Sequence, residues 1–285
     1  MSFRLNVKNY ALILSLLFSV NASADTVRAY NVGSLSLQVV RSFSNVEAHP
    51  TMSVFSPFQY KVLSGGANVN WSGSGNLLTS MYPQSSSNWI ASSKDHKVSS
   101  PASLEAYAIV ASLAGREISN SDYVLVSQTS SYAAHPTAVA SLPSGYTLVG
   151  GGARVNWSGA GNLLHASYPN GNSWVASSKD HVISSPATVT SYAVGLSNAF
   201  LQANRLVVQS RQVTSGTTNH PNTTCTLDFG YKIIGGGAKA NWNSNGSLLT
   251  SSFPSGEQAW YGAAKDHMVA DPSSITVYCI GVRSY

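Results

Sequence analysis

Three Lys-Asp-His triplets carry the side chains of this sequence that could do chemistry. A further histidine stands 46 or 47 positions before the histidine of each triplet. Ammonium, carboxylate and imidazole groups that come together can bind a polar ligand, hold a metal ion or transfer protons. Which role applies depends on the elements that position them. The triplets are Lys94-Asp95-His96, Lys179-Asp180-His181 and Lys265-Asp266-His267.

A structural role is the simplest interpretation of each triplet. The Asp would turn inward at a corner and accept backbone N–H bonds, which leaves the Lys and the His exposed. A metal site would instead combine His49 with Asp95 and His96. Adjacent residues of a straight strand point to opposite sides, so Asp95 and His96 cannot easily share one ion. We therefore expect no metal and no cofactor.

Catalysis by Asp and His with a nearby serine is a further alternative. The sequence contains no nucleophile-elbow motif, no HExxH and no P-loop. Three near-identical catalytic sites in one chain would be unusual, whereas three binding sites are an ordinary route to avidity. We therefore expect no catalytic residues and a protein that is not an enzyme.

The triplets close a stretch that is written three times. Gly150 to His181 recurs as Ser64 to His96 and as Gly235 to His267, with equivalent tryptophans 85 or 86 positions apart. A fixed period of this kind indicates repeated structural units. The chain is accordingly divided into residues 1–24, copy 1 (25–112), copy 2 (113–197) and copy 3 (198–285).

Alternation with period two predicts β-strands for most segments of each copy. In copy 2, Ala153, Val155 and Trp157 share one strand face, so Trp157 and its counterparts Trp71 and Trp242 are expected in the core. No segment shows helical periodicity over a dozen residues. The sequence predicts an all-β protein of three tandem homologous β-sandwich-like repeats. Three separate domains are favoured, with a pseudo-threefold arrangement as the alternative.

A second tryptophan in each copy follows a polar loop that varies between the copies. Its ring could flank a surface pocket beside the triplet, because a sugar stacks on such a ring while its hydroxyls take hydrogen bonds. Tyrosines before proline belong either to the core or to this platform. Copy 3 has Phe253 there, so its site would be impaired if tyrosine hydroxyls matter. The predicted ligand-binding residues are Trp89, Lys94, His96, Trp174, Lys179, His181, Trp260, Lys265, His267, Tyr82 and Tyr168.

The composition indicates an exported protein with a mostly neutral, polar surface. Residues 1–24 have a basic start, an apolar run of about ten residues and an Ala-Ser-Ala site, which is typical of a secretory signal. Cleavage near Ala24 would leave 14 basic and 11 acidic residues, a net charge of +3. So mild a charge lacks the clustered basic face of a nucleic-acid binder. No later stretch is long and apolar enough to span a bilayer as a helix.

Two cysteines, Cys225 and Cys279, can pair in an oxidising compartment. The other copies have small apolar residues at both positions, which indicates that these positions are buried. We predict a bridge within copy 3 that contributes about 2–4 kcal/mol of stability. The substitutes are Val54 and Ala140 for Cys225, and Ala108 and Ala193 for Cys279.

The order of these signatures resembles a loosely defined class of repeats from secreted bacterial surface and matrix proteins. The matching pattern is Gly-Gly-Gly-Ala at Gly150 to Ala153, Ser-Tyr-Pro at Ser167 to Pro169, then Trp174, then Tyr192-Ala193. Some members have a cysteine before the glycines and another in the closing strand, as copy 3 has. The resemblance implies a β-rich extracellular module and leaves its ligand open.

The sequence favours a secreted, non-enzymatic, lectin-like or adhesin-like protein that binds glycans or another cell-surface ligand multivalently. A structural component of an extracellular matrix, assembled by self-association, is the alternative. A secreted hydrolase or a toxin component is a minor one, and no amphipathic segment of useful length supports membrane insertion.

Overall fold

The computed structural model describes residues 24–285, so the expected signal sequence lies outside the described residues apart from Ala24. Nineteen strands and one short helix make up its regular structure, and every strand pair is antiparallel. The all-β prediction is confirmed. Among the described residues, no helix combines the length and the apolar character needed to cross a membrane.

Each copy supplies a similar series of strands, and copy 1 has one more at its start. The strands of copy 1 are β1 (Asp25–Val32), β2 (Leu35–Phe43), β3 (Thr51–Phe55), β4 (Lys61–Asn70), β5 (Asn76–Ser85), β6 (Asn88–Asp95) and β7 (Ser103–Leu113). Those of copy 2 are β8 (Tyr123–Thr129), β9 (Thr137–Ser141), β10 (Tyr146–Asn156), β11 (Leu163–Asn170), β12 (Ser173–Lys179) and β13 (Thr188–Ser197).

A short helix, α1 (Asn198–Ala203), follows β13 and leads into copy 3. Its first turn is capped by Ser197, whose Oγ accepts the backbone N–H of Phe200 at 3.0 Å. The strands of copy 3 are β14 (Leu206–Thr214), β15 (Asn222–Thr226), β16 (Lys232–Asn241), β17 (Leu248–Pro254), β18 (Ala259–Lys265) and β19 (Ser274–Ser284).

Three sheets form, and each one takes strands from two copies. The first sheet has the order β1-β2-β7-β4-β17-β18-β15, the second β3-β6-β5-β10-β13-β8, and the third β14-β19-β16-β11-β12-β9. The favoured expectation of three separate domains is therefore wrong, because the strands of each copy are divided between two sheets, and each of these sheets is completed by a different copy. The inner strands β4, β10 and β16 also contact one another, which brings the three sheets around one core.

The copies meet where a strand of one pairs with a strand of the next. We call these junctions the first seam (β5 with β10), the second seam (β11 with β16) and the third seam (β17 with β4). Only two residue pairs define the register at each seam, such as Arg154 opposite Ser80 and Ala153 opposite Met81. Each seam thus leaves the outer faces of two different copies side by side.

Buried tryptophans fill the core beneath glycines of the inner strands. Trp89, Trp174 and Trp260 are each at most 1% exposed. A Cβ placed on Gly151 would lie 2.3 Å from the Trp174 ring and 2.3 Å from the Tyr192 carbonyl oxygen. Only glycine lets the indole approach the backbone this closely.

The predicted disulfide between Cys225 and Cys279 is present. It joins β15 in the first sheet to β19 in the third, so it links two sheets as well as two strands of copy 3. Both sulfurs are fully buried, and so are the small residues that replace them in the other copies. The bridge is compatible with a secreted protein.

Candidate functional site

The triplet histidines form a closed ring of hydrogen-bonded contacts in the interior. Nε2 of His96 lies 2.8 Å from the carbonyl oxygen of His181, and Nε2 of His181 lies 2.6 Å from that of His267. Nε2 of His267 returns to the carbonyl oxygen of His96 at 2.9 Å. Each copy is therefore tied to the next one, and copy 3 is tied back to copy 1.

A turn of the next copy binds the lysine and the histidine of each triplet together. The carbonyl oxygen of Ala160 accepts Lys94 Nζ at 2.6 Å and lies 3.1 Å from His96 Nδ1. The carbonyl oxygen of Ser74 does the same for Lys265 at 2.6 Å and His267 at 2.9 Å. In copy 2, Lys179 Nζ and His181 Nδ1 both reach the carbonyl oxygen of Asn245.

These six side chains are at most 3% exposed. Burial lowers the pKa of Lys94 and Lys265, and it lowers the pKa of Lys179 to about 8. Burial also lowers the pKa of His96 and His181, although their carbonyl contacts oppose the shift. The expectation that the lysines and histidines of the triplets lie at the surface is wrong, because a turn of the neighbouring copy covers them. They offer no surface to an external ligand.

The aspartates of the triplets take the corner role that the sequence allows. Oδ2 of Asp95 accepts the backbone N–H of Ser100 at 3.4 Å, and its Oδ1 lies 3.0 Å from Nε2 of His49. Copies 2 and 3 repeat the ion pair as His135–Asp180 at 3.1 Å and His220–Asp266 at 3.2 Å. The side chains of these upstream histidines are about half exposed, at 53 or 54%. They are the histidines that a ligand can reach.

The two sets of tryptophans have exchanged their expected places. Trp89, Trp174 and Trp260, predicted to flank a surface pocket, are the buried ones, while Trp71, Trp157 and Trp242 are partly exposed at the seams. Lys94 Nζ of copy 1 lies 4.7 Å from the ring centroid of Trp157. The His49 ring stands edge-on to the same indole at 5.6 Å.

This arrangement recurs at the other two seams. Trp242 lies between Lys179 at 4.3 Å and His135 at 5.4 Å. Trp71 lies between Lys265 at 4.5 Å and His220 at 5.4 Å. Each seam thus presents a half-exposed histidine, paired with a largely buried aspartate, against the ring of a partly exposed tryptophan. We call this group of three side chains the seam site.

An open cleft of about 490 Å³ adjoins the seam site of the first seam. Its floor is the outer face of β5, β6 and β10, where polar side chains alternate with inward apolar ones. A shallow, polar cleft with an aromatic wall can bind a small polar ligand. Its lining residues are His49, Thr51, Thr79, Ser80, Tyr82, Ile90, Ser92, Ser93, Arg154, Val155, Asn156 and Trp157.

The predicted tyrosines stack on aromatic rings of the neighbouring copy. Tyr82 stacks on Tyr192 with ring centroids 4.8 Å apart, and Tyr168 stacks on Tyr278 at 5.0 Å. At the third seam Phe253 takes the equivalent place and stacks on Tyr107. Tyr82 is largely buried, as a core residue would be, yet it also lines the cleft, as a residue of the ligand platform would.

The three seams differ in the charge on the inner strand. The equivalent outward positions are Arg154 on β10, Lys239 on β16 and Asn68 on β4. The second seam also has His165 where the others have Thr79 and Thr250, and its ring stands edge-on to Trp242 at 5.5 Å. Sequence reasoning missed Arg154 and the upstream histidines as cleft residues. The signal available for Arg154 was its difference from Asn68 and Lys239 within otherwise similar stretches.

A metal site of the kind considered for His49, Asp95 and His96 does not form in residues 24–285, where no three His, Cys, Asp or Glu side chains group as ligands. His96 points into the histidine ring, away from the pair formed by His49 and Asp95. The Asp–His pair at the surface is held by one ion pair and one backbone contact.

No protein-family model matches the chain, and no curated protein is similar to it at a significant level.

Proposed function

We propose that the chain is a secreted, non-enzymatic, lectin-like protein that binds saccharides at its seam sites. The observation that carries the proposal is the cleft of about 490 Å³ at the first seam, walled by the partly exposed ring of Trp157. A pyranose can lay its C–H face on such a ring while polar side chains bind its hydroxyls. The sequence predicted a binding site at Trp174 and its counterparts, whereas the site proposed from the structure lies at Trp157 and its counterparts.

Fixed polar groups beside the ring support recognition of hydroxyls. Asp95 holds the His49 imidazole through Nε2, which leaves Nδ1 for a ligand. Asn156 is held by hydrogen bonds from its Nδ2 to Thr188 at 3.0 Å and Thr190 at 3.1 Å. Side chains already ordered in the free protein lose little conformational entropy when a ligand binds.

The threefold recurrence of the seam site supports multivalent binding. Each chain has three His–Asp–Trp groups, and the sheets hold them at fixed separations around the core. Individually weak sugar contacts gain avidity when several engage one surface together. This arrangement favours a protein that binds cell-surface glycans over a protein that acts on a single substrate molecule.

A matrix component that assembles through self-association is the second candidate. Two exposed phenylalanines favour it: Phe58 is 89% exposed and Phe229 is 97% exposed, at equivalent loops of copies 1 and 3. Copy 2 has Ser144 at this position. Both loops precede the inner strands β4 and β16, whereas the seam tryptophans follow these strands, so the loops and the tryptophans lie at opposite strand ends.

A saccharide array tests the proposal. We expect wild-type protein to bind, and we expect the triple substitution His49→Ala, His135→Ala and His220→Ala to weaken binding at least about tenfold, since each site loses an ordered polar group. The triple substitution Trp71→Ala, Trp157→Ala and Trp242→Ala should remove binding, with folding checked by circular dichroism.

The substitution Phe58→Ala with Phe229→Ala serves as the matched control. It should preserve saccharide binding and should remove any concentration-dependent oligomers if the matrix role also applies. A wild-type protein that binds no saccharide, or seam variants that bind as well as wild type, would show the lectin-like proposal to be wrong.

A further inference from the structure

We infer that the cleft of the first seam binds saccharides that carry an anionic group, and that Arg154 recognises this group. The inference rests on the proposed saccharide binding and assigns its ligand class. It also makes the three seams unequal, because the residue at the position of Arg154 differs in every copy.

Arg154 lies where a ligand on Trp157 would extend. It is exposed on the outer face of β10, three positions before Trp157, and both residues line the same cleft. Across the seam it faces Ser80 of copy 1, and within copy 2 it faces Thr190. Its guanidinium carbon lies 5.7 Å from the ring centroid of Tyr82, which provides an aromatic surface beside the charge.

The guanidinium of Arg154 has no acidic partner in the part of the chain that is described, since no carboxylate oxygen of residues 24–285 lies within 4.0 Å of it. The carboxylate of the seam site, Asp95, is engaged by His49. An arginine without a carboxylate partner can present two parallel N–H donors to a carboxylate or a sulfate. The cleft therefore offers an uncompensated cation next to a surface suited to a sugar ring.

The third seam shows the opposite arrangement at the same positions. Asn68 replaces Arg154 and faces Glu105, with its Nδ2 3.4 Å from Glu105 Oε1. Ser251 donates to the Asn68 side-chain oxygen at 2.7 Å. Arg41 lies 3.8 Å from the same Glu105 carboxylate. At the position of Arg154 the third seam thus presents a neutral amide beside a carboxylate, so this seam should not favour an anionic saccharide.

The second seam is intermediate between the other two. Lys239 provides a cation opposite Thr276, but His165 fills the position that Thr79 occupies at the first seam. The larger imidazole lies against Trp242 and reduces the room beside that ring. An ammonium group also binds a carboxylate as a point charge and lacks the paired geometry of a guanidinium. The first seam is therefore the principal anionic site.

Binding to matched saccharide pairs tests the inference. Each pair contains an acidic oligosaccharide and its neutral counterpart: galacturonate oligomers with their carboxyl-reduced form, and sulfated galactan oligomers with their desulfated form. We expect wild type to prefer the acidic member by about tenfold, the effect of one charge-assisted contact. Arg154→Asn, which copies the residue of the third seam, should bring this preference close to one.

Arg116→Asn is the matched control, because it removes the same unit of charge from an exposed turn outside the cleft. It should keep the acidic preference. The double substitution Asn68→Arg with Glu105→Thr should raise the acidic preference by giving the third seam the residues of the first. Comparison of the galacturonate and sulfated pairs identifies which anionic group the arginine accepts.

Each alternative outcome is decisive. An acidic preference that Arg154→Asn leaves intact, or that Arg116→Asn removes equally, would overturn the role of Arg154. Equal binding of acidic and neutral members would overturn the inference and leave the proposed saccharide binding in place. Failure of wild type to bind any member of the pairs, or any other saccharide, would overturn both.

Discussion

His165 is the residue that most distinguishes the second seam from the other two. Burial, together with the charges of Lys179 and Lys239, lowers its pKa to about 3. Its Nδ1 is buried and has no hydrogen-bond partner among the described residues. The imidazole is therefore neutral in the folded protein, and protonation of this side chain disfavours folding.

Acid should destabilise the wild-type protein more than His165→Thr, which has the side chain of Thr79 and Thr250. In the unfolded chain His165 regains a pKa of about 6.5, so the unfolded state binds more protons between pH 6.5 and about 3. The stability that the neutral imidazole provides is thus lost as pH falls through this window. Denaturant unfolding of both proteins at pH 7 and pH 4 measures this effect. Relative to His165→Thr, the free energy of unfolding of wild type should fall by about 1 to 3 kcal/mol between pH 7 and pH 4.

A control for this measurement is Thr79→Ser at the equivalent position of the first seam. It should not reproduce the shift, because neither side chain can titrate in this pH range. If wild type and His165→Thr lose the same free energy of unfolding between the two pH values, the neutral buried state of His165 is wrong.

Single residues were predictable from the sequence only where their neighbours lie in the same copy. The pairing of Cys225 with Cys279 could be predicted because both positions align with small apolar residues and both belong to copy 3. The burial of Lys94 and His96 could not, because strand alternation places them on the outer face of β6. The turn that ends at Gly161 of the next copy covers them, and the histidine ring also encloses His96.

At the scale of elements, the glycine-rich inner strands set how closely the tryptophans approach. Glycines inside a strand favour a bulge or a close backbone contact, and Gly150 to Gly152 are three such glycines in β10. The structure has both, with a register shift between Leu148 and Gly150 and the Trp174 ring against Gly151. The tryptophan that makes the contact was predicted wrongly, because alternation favoured Trp157 for the core, whereas β10 ends at Asn156 and the alternation does not extend to Trp157.

Gly151→Ala should destabilise the protein by about 3 kcal/mol or more, because the new methyl would overlap the Trp174 ring and a backbone carbonyl. Gly216→Ala is its control, since Gly216 has no neighbouring atom within 4 Å of the added Cβ. The control should change the free energy of unfolding by less than about 0.5 kcal/mol. Guanidinium unfolding of both variants measures the difference, and equal stabilities would show that the glycine contact does not limit packing.

At the scale of the whole molecule, the sharing of sheets makes the copies depend on one another. The third sheet, for example, takes β14, β19 and β16 from copy 3 and β11, β12 and β9 from copy 2. Removal of one copy would expose sheet edges at two seams and open the histidine ring. The period of about 86 residues predicted the repeated units. It could not predict that the copies share sheets, because the alternation along each strand is the same for separate domains and for shared sheets.

Residues 25–285 should therefore unfold in one cooperative transition. Differential scanning calorimetry should give a calorimetric enthalpy equal to the van't Hoff enthalpy. Residues 113–197 alone should lack this transition, because β9, β11 and β12 would have no second copy to complete their sheet. Two or three separable transitions in the full protein would contradict the shared core.

The ring of histidine contacts runs head to tail, from copy 1 to 2, from 2 to 3 and from 3 to 1. Three identical chains related by a rotation could close the same ring as a cyclic homotrimer. Such a trimer would have to carry the same residue at every seam. Covalent linkage removes this restriction, because each copy mutates independently while the ring stays closed. One polypeptide can therefore hold Arg154, Lys239 and Asn68 at equivalent places around one closed ring.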